Sequence, residues 1–235
     1  MSLRMSFPFI IWCRQRTGSI SLFYSLCSAS EHTPAQCEPF DADVTKDRQF
    51  TNVGKRMRPR ERDVALRSIC DDRFLIKHCY ENLSEEFNHA LAEISTRAGY
   101  RHIHLVRHNE LARLISKGIA EQHGTWVADG WTRAKYQDWK RRGLKLPPLD
   151  IPAMKQYHEL SESRWRALAG LLRPHEVMSE NFFSVPRLVL SRITDYLGMP
   201  TSNVQTMLNN IGASQSTPSI WKLLPNIQEL KDAIA

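Results

Sequence analysis

A compact apolar run, Phe7-Pro8-Phe9-Ile10-Ile11-Trp12-Cys13, feeds directly into Arg14-Gln15-Arg16-Thr17-Gly18-Ser19, and apolar residues return at helical spacing from Ile20 to Phe23. The pattern predicts a buried strand, a tight turn and a helix. Such a junction aims backbone N–H groups and the positive end of a helix at one point in space. A phosphate or sulfate suits that point. Gly18 lets backbone approach an anion closely, Thr17 and Ser19 offer hydroxyl donors, and Arg16 adds a fixed positive charge. The turn is not the Gly-x-x-x-x-Gly-Lys-Ser/Thr loop of nucleoside triphosphatases, because it has one glycine and its basic residue comes first. Many strand-to-helix turns carry Gly and Ser only to cap a helix. By itself the segment leaves an anion site and a plain turn both open.

A second segment, Arg101 to Ser116, repeats the theme. Ile103 to Val106 reads as a short buried strand, with Arg107 just past its end. From Asn109, a candidate N-cap, the pattern turns helical, with Leu111, Leu114, Ile115 and Ile119 on one face. Ser116 falls about two turns into that helix. An Arg at a strand's carboxyl end and a Ser on the next helix can grip one phosphate, and ligands of open α/β sheets sit at those ends. A solvated Arg and an ordinary helix Ser are the alternative.

Elsewhere strands and helices alternate. Residues 61–69 read as a short helix and 73–77 as a strand ending in the charge of Lys77. An amphipathic helix is expected at 84–98, with Ser84 as cap and Gly99 as stop. Further helices are expected near 131–142, 152–172 and 186–197, a strand near 175–179, and a terminal helix after a Ser/Thr/Gly-rich loop at 212–219. Arg173-Pro174 and Gly198 with Pro200 are the breaks. Alternation of this kind predicts a three-layer α/β fold of the P-loop type, a mostly parallel sheet flanked by helices, in one domain over residues 1–235.

The chain has 235 residues and a net charge of +7, and its basic excess is clustered at Lys55 to Arg62 and Lys140 to Lys145. Such runs serve either as a solvated face or as a positive approach to an anion. No aromatics are interleaved with them and no reading helix is evident, which argues against nucleic acid as a partner. No apolar run is long enough to span a bilayer, and the one at Phe7 to Cys13 is too short and too soon interrupted by Arg14 and Arg16 for a leader. Five cysteines (Cys13, Cys27, Cys37, Cys70, Cys79) without Cys-x-x-Cys spacing point to free thiols in a reducing cytoplasm, and the scatter of Cys and His gives no zinc site.

Together these segments resemble the sulfotransferase family that uses 3′-phosphoadenosine-5′-phosphosulfate. The family's 5′-phosphosulfate loop is similar to Arg16-Thr17-Gly18-Ser19-Ile20, and its 3′-phosphate motif to Arg107 and Ser116. Ala120-Glu121-Gln122-His123-Gly124-Thr125-Trp126 resembles the Gln-Thr-Gly-x-Trp stretch of bacterial carbohydrate sulfotransferases of the trehalose and Nod-factor types. Ser179-Glu180-Asn181-Phe182, then Ile193 to Pro200, then Leu224 to Leu230 resemble that group's later signatures, in the family's order. Ile20 stands where the family carries a second Thr, Ser179 where it carries Tyr, and His123 where it carries Thr.

The resemblance implies sulfuryl transfer from that cosubstrate to a hydroxyl of a carbohydrate or other small acceptor, without a metal. It implies Arg16 and the loop amides on the leaving phosphate, Lys77 at the bridging oxygen, and Glu38, in Gln36-Cys37-Glu38-Pro39-Phe40, as base. His78 is the second candidate base, after the aryl and steroid branch, although the Lys-Thr-His spacing of that branch is missing. Two rival readings remain at this stage. One is a P-loop kinase-like nucleotide-binding protein, which lacks a Walker lysine here. The other is a non-catalytic basic protein that binds anionic polymers. Acceptor identity and oligomeric state are not encoded legibly.

Overall fold

β1, Phe9–Cys13, is buried along its whole length. It can be, because every residue in it is apolar and it lies inside a parallel sheet covered on both faces. The computed structural model describes residues 6–35, 38–41, 50, 53–54, 57–123, 137–138, 140–212 and 224–234. The chain divides into two compact units. The first comprises Met1–Val106 and Ser163–Gly212, the second Arg107–Glu162 and Ala213–Ala235.

In the first unit, β1 leads through a turn to α1, Ser19–Cys27. Then come α2, Pro59–Asp71, β2, Ile76–Cys79, α3, Glu85–Arg97, and β3, Arg101–Val106. After the second unit's first segment the chain returns with the end of α5, Ile151–Leu172, and with β4, His175–Met178. Three helices follow: α6, Ser179–Ser184, α7, Pro186–Leu197, and α8, Val204–Asn209, the last preceded by a 3-10 turn. The four strands are all parallel, in the order β2-β1-β3-β4.

Strand side chains alternate between faces. Ile10 and Trp12 join α2, α3 and the end of α5 through Leu66, Ile69, Phe87, Leu91 and Leu168. Phe9, Ile11 and Cys13 join α1, α7 and α8 through Leu22, Phe23, Leu26, Ile193 and Met207. The expected three layers are therefore present.

Helices end where the sequence carries an explicit cap or stop. Ser84 accepts from the Phe87 amide at 3.2 Å, a cap worth about 1 kcal/mol. Gly99 and Gly198 take left-handed φ of 79° and 68° and end α3 and α7. The strand expected at 73–77 instead runs from Ile76 to Cys79. Arg73, at φ 57°, turns the chain after α2, and Leu75 bonds back to Thr33 and Ala35 before the ladder with β1 begins at Ile10 and Ile76. Lys77 consequently lies inside the strand, not at its end. The short helices α6 and α8 were not expected. The helix expected near 131–142 falls largely outside the described residues, as do Cys37, Lys55, Arg56, Gly124 to Trp126 and most of the loop at 212–219.

The second unit holds α4, Glu110–His123, the first part of α5, and α9, Ile227–Ile234. Leu114, Ile115 and Ile119 of α4 pack with Leu146, Leu149, Met154 and Leu230. Among the described residues no helix is long and apolar enough to cross a membrane.

Candidate functional site

The turn between β1 and α1 has the geometry that its sequence implies. Gly18 is left-handed, at φ 81°, and supplies no side chain to cap α1, so the amides of the first turn have no side-chain acceptor from the N-cap. Arg16 is also left-handed, at φ 65°. A Cβ on Gly18 would lie 2.7 Å from Phe183 and 3.7 Å from the Ser179 hydroxyl, so α6 roofs the turn with no room to spare. That is the local use of Ser179, which is buried at the start of α6. Thr17 is buried, and its hydroxyl donates to the Arg14 carbonyl at 2.9 Å. It shapes the turn from inside. Ser19 is buried beside Cys13, whereas Ile20 is 37% exposed.

The first half of the turn is tied to the three residues after β2. Arg14 Nε donates to the Tyr80 hydroxyl at 2.8 Å. The Gln15 amide N–H donates to Glu81 Oε2 at 2.8 Å, and Gln15 Nε2 to Asn82 Oδ1 at 2.9 Å. Burial holds the Tyr80 phenol above its usual range, so it stays protonated. One amide of the turn is thus already bonded to a carboxylate.

Lys77 and Glu38 meet. Alternation along β2 turns Lys77 to the α1 face of the sheet, level with Ile11, and its ammonium forms an ion pair with Glu38 Oε1. The second Glu38 oxygen accepts from Asn82 Nδ2 at 3.2 Å, and the same Nδ2 donates to Asp41 at 2.6 Å. Glu38 is held at a left-handed φ of 54°, a conformation that costs a non-glycine residue about 1 to 2 kcal/mol. The Lys77 charge also reaches Cys13. Burial works to raise the Cys13 thiol pKa, but bonds to Cys79 and Ser19 and that charge leave it lowered. Its neighbour Cys79 is pushed well up, first by burial.

His78 faces the other way. It lies on the Trp12 face, ringed by Trp12, Phe40 and Phe87, with Nε2 against Asn88 Oδ1 at 2.6 Å. Burial lowers its pKa to about 4. Glu38, Lys77, Asn82 and the turn at Gln15 are therefore brought together, whereas His78 points into an aromatic cluster on the opposite face.

In the second unit Arg107 directly follows β3 and is half-buried, and Asn109 caps α4 by accepting from the Ala112 amide at 2.9 Å. Ser116 is half-buried on α4. The same helix carries a network that the sequence did not disclose. Arg113, fully buried, is bound to both oxygens of Glu110, which also meets His158 at 2.8 Å. Lys117 pairs with Glu121 and stacks 4.1 Å over Tyr157. A signal did exist, since Glu110, Arg113, Lys117 and Glu121 follow the i, i+3, i+4 spacing of one helix face. Tyr80, Glu81, Asn82 and Asp41 gave no such signal.

In the basic runs Arg58, Arg60 and Lys140 to Arg142 are exposed, whereas Arg62 is half-buried and paired with Asp63 at 2.9 Å. Among the described residues no group of His, Cys, Asp and Glu is arranged to hold a metal ion.

No protein-family model matches the chain, and no curated protein matches it in sequence. Among solved structures the chain is similar to the sulfotransferase domain from the curacin biosynthetic pathway. That match has a TM-score of 0.50 and 15% identity, and covers 96% of this chain and 87% of that one. A sulfotransferase from Alicyclobacillus acidocaldarius matches with a TM-score of 0.49 and 12% identity over 97% and 90% of the two chains. The four-stranded parallel sheet between helical layers is thus the fold of a sulfotransferase domain.

Proposed function

We propose that this chain is a sulfotransferase that moves a sulfuryl group from 3′-phosphoadenosine-5′-phosphosulfate to a hydroxyl of a carbohydrate or other small acceptor. The observation that carries the reading is the pairing of Lys77 with Glu38 beside the β1–α1 turn. Two residues 39 positions apart, assigned to catalysis by resemblance alone, share one ion pair. The left-handed Gly18, the uncapped head of α1 and Arg16 suit a doubly charged phosphosulfate.

In this reading the turn amides and Arg16 hold the 5′-phosphosulfate and neutralise the phosphate that leaves. The acceptor oxygen bonds to sulfur as the sulfur–oxygen bond to that phosphate breaks, in line. Glu38 takes the acceptor's proton, and Lys77 donates to the bridging oxygen. Thr17 shapes the turn, while Ser19 and the Ile20 amide complete it. Arg107 and Ser116 are assigned to the ribose 3′-phosphate on the resemblance, and residues 1–235 are taken to work as one catalytic domain. A cytoplasmic setting belongs to the proposal and is supported by the free thiols of Cys13, Cys27, Cys70 and Cys79. No metal is assigned a role.

The test is binding of adenosine 3′,5′-bisphosphate, the product nucleotide. At a hundredfold excess over Kd it should raise Tm by roughly 5 to 10 °C. Arg107→Ala should weaken it about tenfold to a hundredfold with Tm unchanged. No Tm response to millimolar bisphosphate overturns the reading. A Tm response that Arg107→Ala leaves intact removes Arg107 from the site.

A further inference from the structure

We infer that Asn82 is a positioning residue that fixes the Glu38 carboxylate relative to the anion-binding turn. The inference rests on Glu38 acting as the base in the reading above.

Glu38 belongs to neither a helix nor a strand, and its left-handed backbone is a conformation that a glutamate does not hold unaided. Among the described residues two side chains restrain its carboxylate. Lys77 takes one oxygen and Asn82 the other, at 3.2 Å. Lys77 supplies charge, but an ammonium is a point donor with no preferred plane. Asn82 supplies direction. Its planar amide is pinned at both ends, because Oδ1 accepts from Gln15 Nε2 at 2.9 Å and Nδ2 donates at 2.6 Å to Asp41, which is itself buried. A carboxylate accepts only, so Asp41 and Glu38 compel the NH2 end towards themselves and leave the carbonyl end for Gln15. Asn82 is in turn set by β2, since its backbone N–H donates to the Cys79 carbonyl at 3.1 Å. One side chain thus spans from the turn at Gln15 to the proton acceptor at Glu38. A shift of about 1 Å at such a site can lower a rate about a hundredfold.

The experiment is a double-variant cycle of Asn82→Ala, Glu38→Gln and both, read in two ways. The first reading is turnover of sulfur-labelled 3′-phosphoadenosine-5′-phosphosulfate with water as acceptor. Asn82→Ala should lower kcat about tenfold to a hundredfold. The donor KM and the Kd for adenosine 3′,5′-bisphosphate should stay within about threefold, a split that general loosening of the fold does not give. In the Glu38→Gln background the same change should cost nothing more. An equal loss in both backgrounds overturns the inference, as does a loss confined to KM.

The second reading is the Tm of the same four proteins without nucleotide, where Asn82→Ala should cost several degrees less once Glu38 is Gln. Additive Tm losses also overturn the inference. If the Tm cycle shows coupling but the wild type neither binds the bisphosphate nor turns over the donor, the proposed function has failed. The positioning role fails with it, and only a structural contact is left. Should Asn82→Ala not fold, Asn82→Ser keeps a hydrogen-bonding group after β2 and carries the same cycle.

Discussion

On the sheet face opposite Lys77, the His78 ring donates from Nε2 to the side-chain oxygen of Asn88, whose own amide donates to the Tyr80 carbonyl at 2.9 Å. Parallel register sets two more strand histidines on that face. His104 is the β3 partner of Trp12, and His102 accepts from the Trp12 indole at 3.1 Å while its other nitrogen meets Thr96 at 3.0 Å. Burial lowers His78 and His102 to about 4 and His104 to about 3.

These depressed values make the fold acid-sensitive. The folded chain keeps all three rings neutral, whereas the unfolded chain protonates them near pH 6.5. Their stabilisation is complete above pH 6.5 and is lost as pH falls from there towards 4. By pH 5 each ring has lost about 2 kcal/mol, so the three together lose about 6 kcal/mol, comparable with a domain's whole stability. Circular dichroism should find Tm flat from pH 8 to 7 and falling steeply below 6.5. An unchanged Tm at pH 5 refutes this account.

Two left-handed glycines separate backbone strain from packing. Gly99→Ala meets nothing within 4 Å, so it should cost only the left-handed term of about 1 to 2 kcal/mol. Gly18→Ala adds the clash with Phe183, bringing the loss to about 2 to 5 kcal/mol. Only Gly18→Ala should weaken adenosine 3′,5′-bisphosphate, which calorimetry measures directly. Equal Tm losses in the two variants refute the packing part.

Lys77 and Glu38 should be costlier to separate than to remove together. The Lys77 side chain is only 2% exposed, and that of Glu38 is 16% exposed. Lys77→Met alone leaves the carboxylate facing an apolar wall and should cost about 3 kcal/mol or more. Lys77→Met with Glu38→Gln should recover much of that Tm, yet remain without turnover. A double variant less stable than Lys77→Met contradicts the pairing.

What the sequence disclosed and what it hid divide by range. β1, its turn, α1 and the caps at Ser84 and Asn109 are local, and apolar spacing or one polar residue announces each. α6 and α8 span six residues each, less than two turns, too short for periodicity to register. β2 slid along the chain because Phe74 and Leu75 look as strand-like as Ile76, and only the ladder with β1 decides. Glu38 and Lys77, candidates through resemblance, form an ion pair. Asn82 was not legible, because its partners lie 41, 44 and 67 positions away and an asparagine after a strand reads as a turn residue.

The order β2-β1-β3-β4 carries a consequence for biosynthesis. β3 finds its outer neighbour only when His175 aligns with Ile103, roughly 70 residues later, and the second unit's first segment is made in between. At about 5 to 20 residues per second, a growing chain displays that bare strand rim for roughly 4 to 14 seconds. A ribosome-bound intermediate ending before β4 is therefore the form of this protein most prone to pair with a stranger, and the one a chaperone should hold longest.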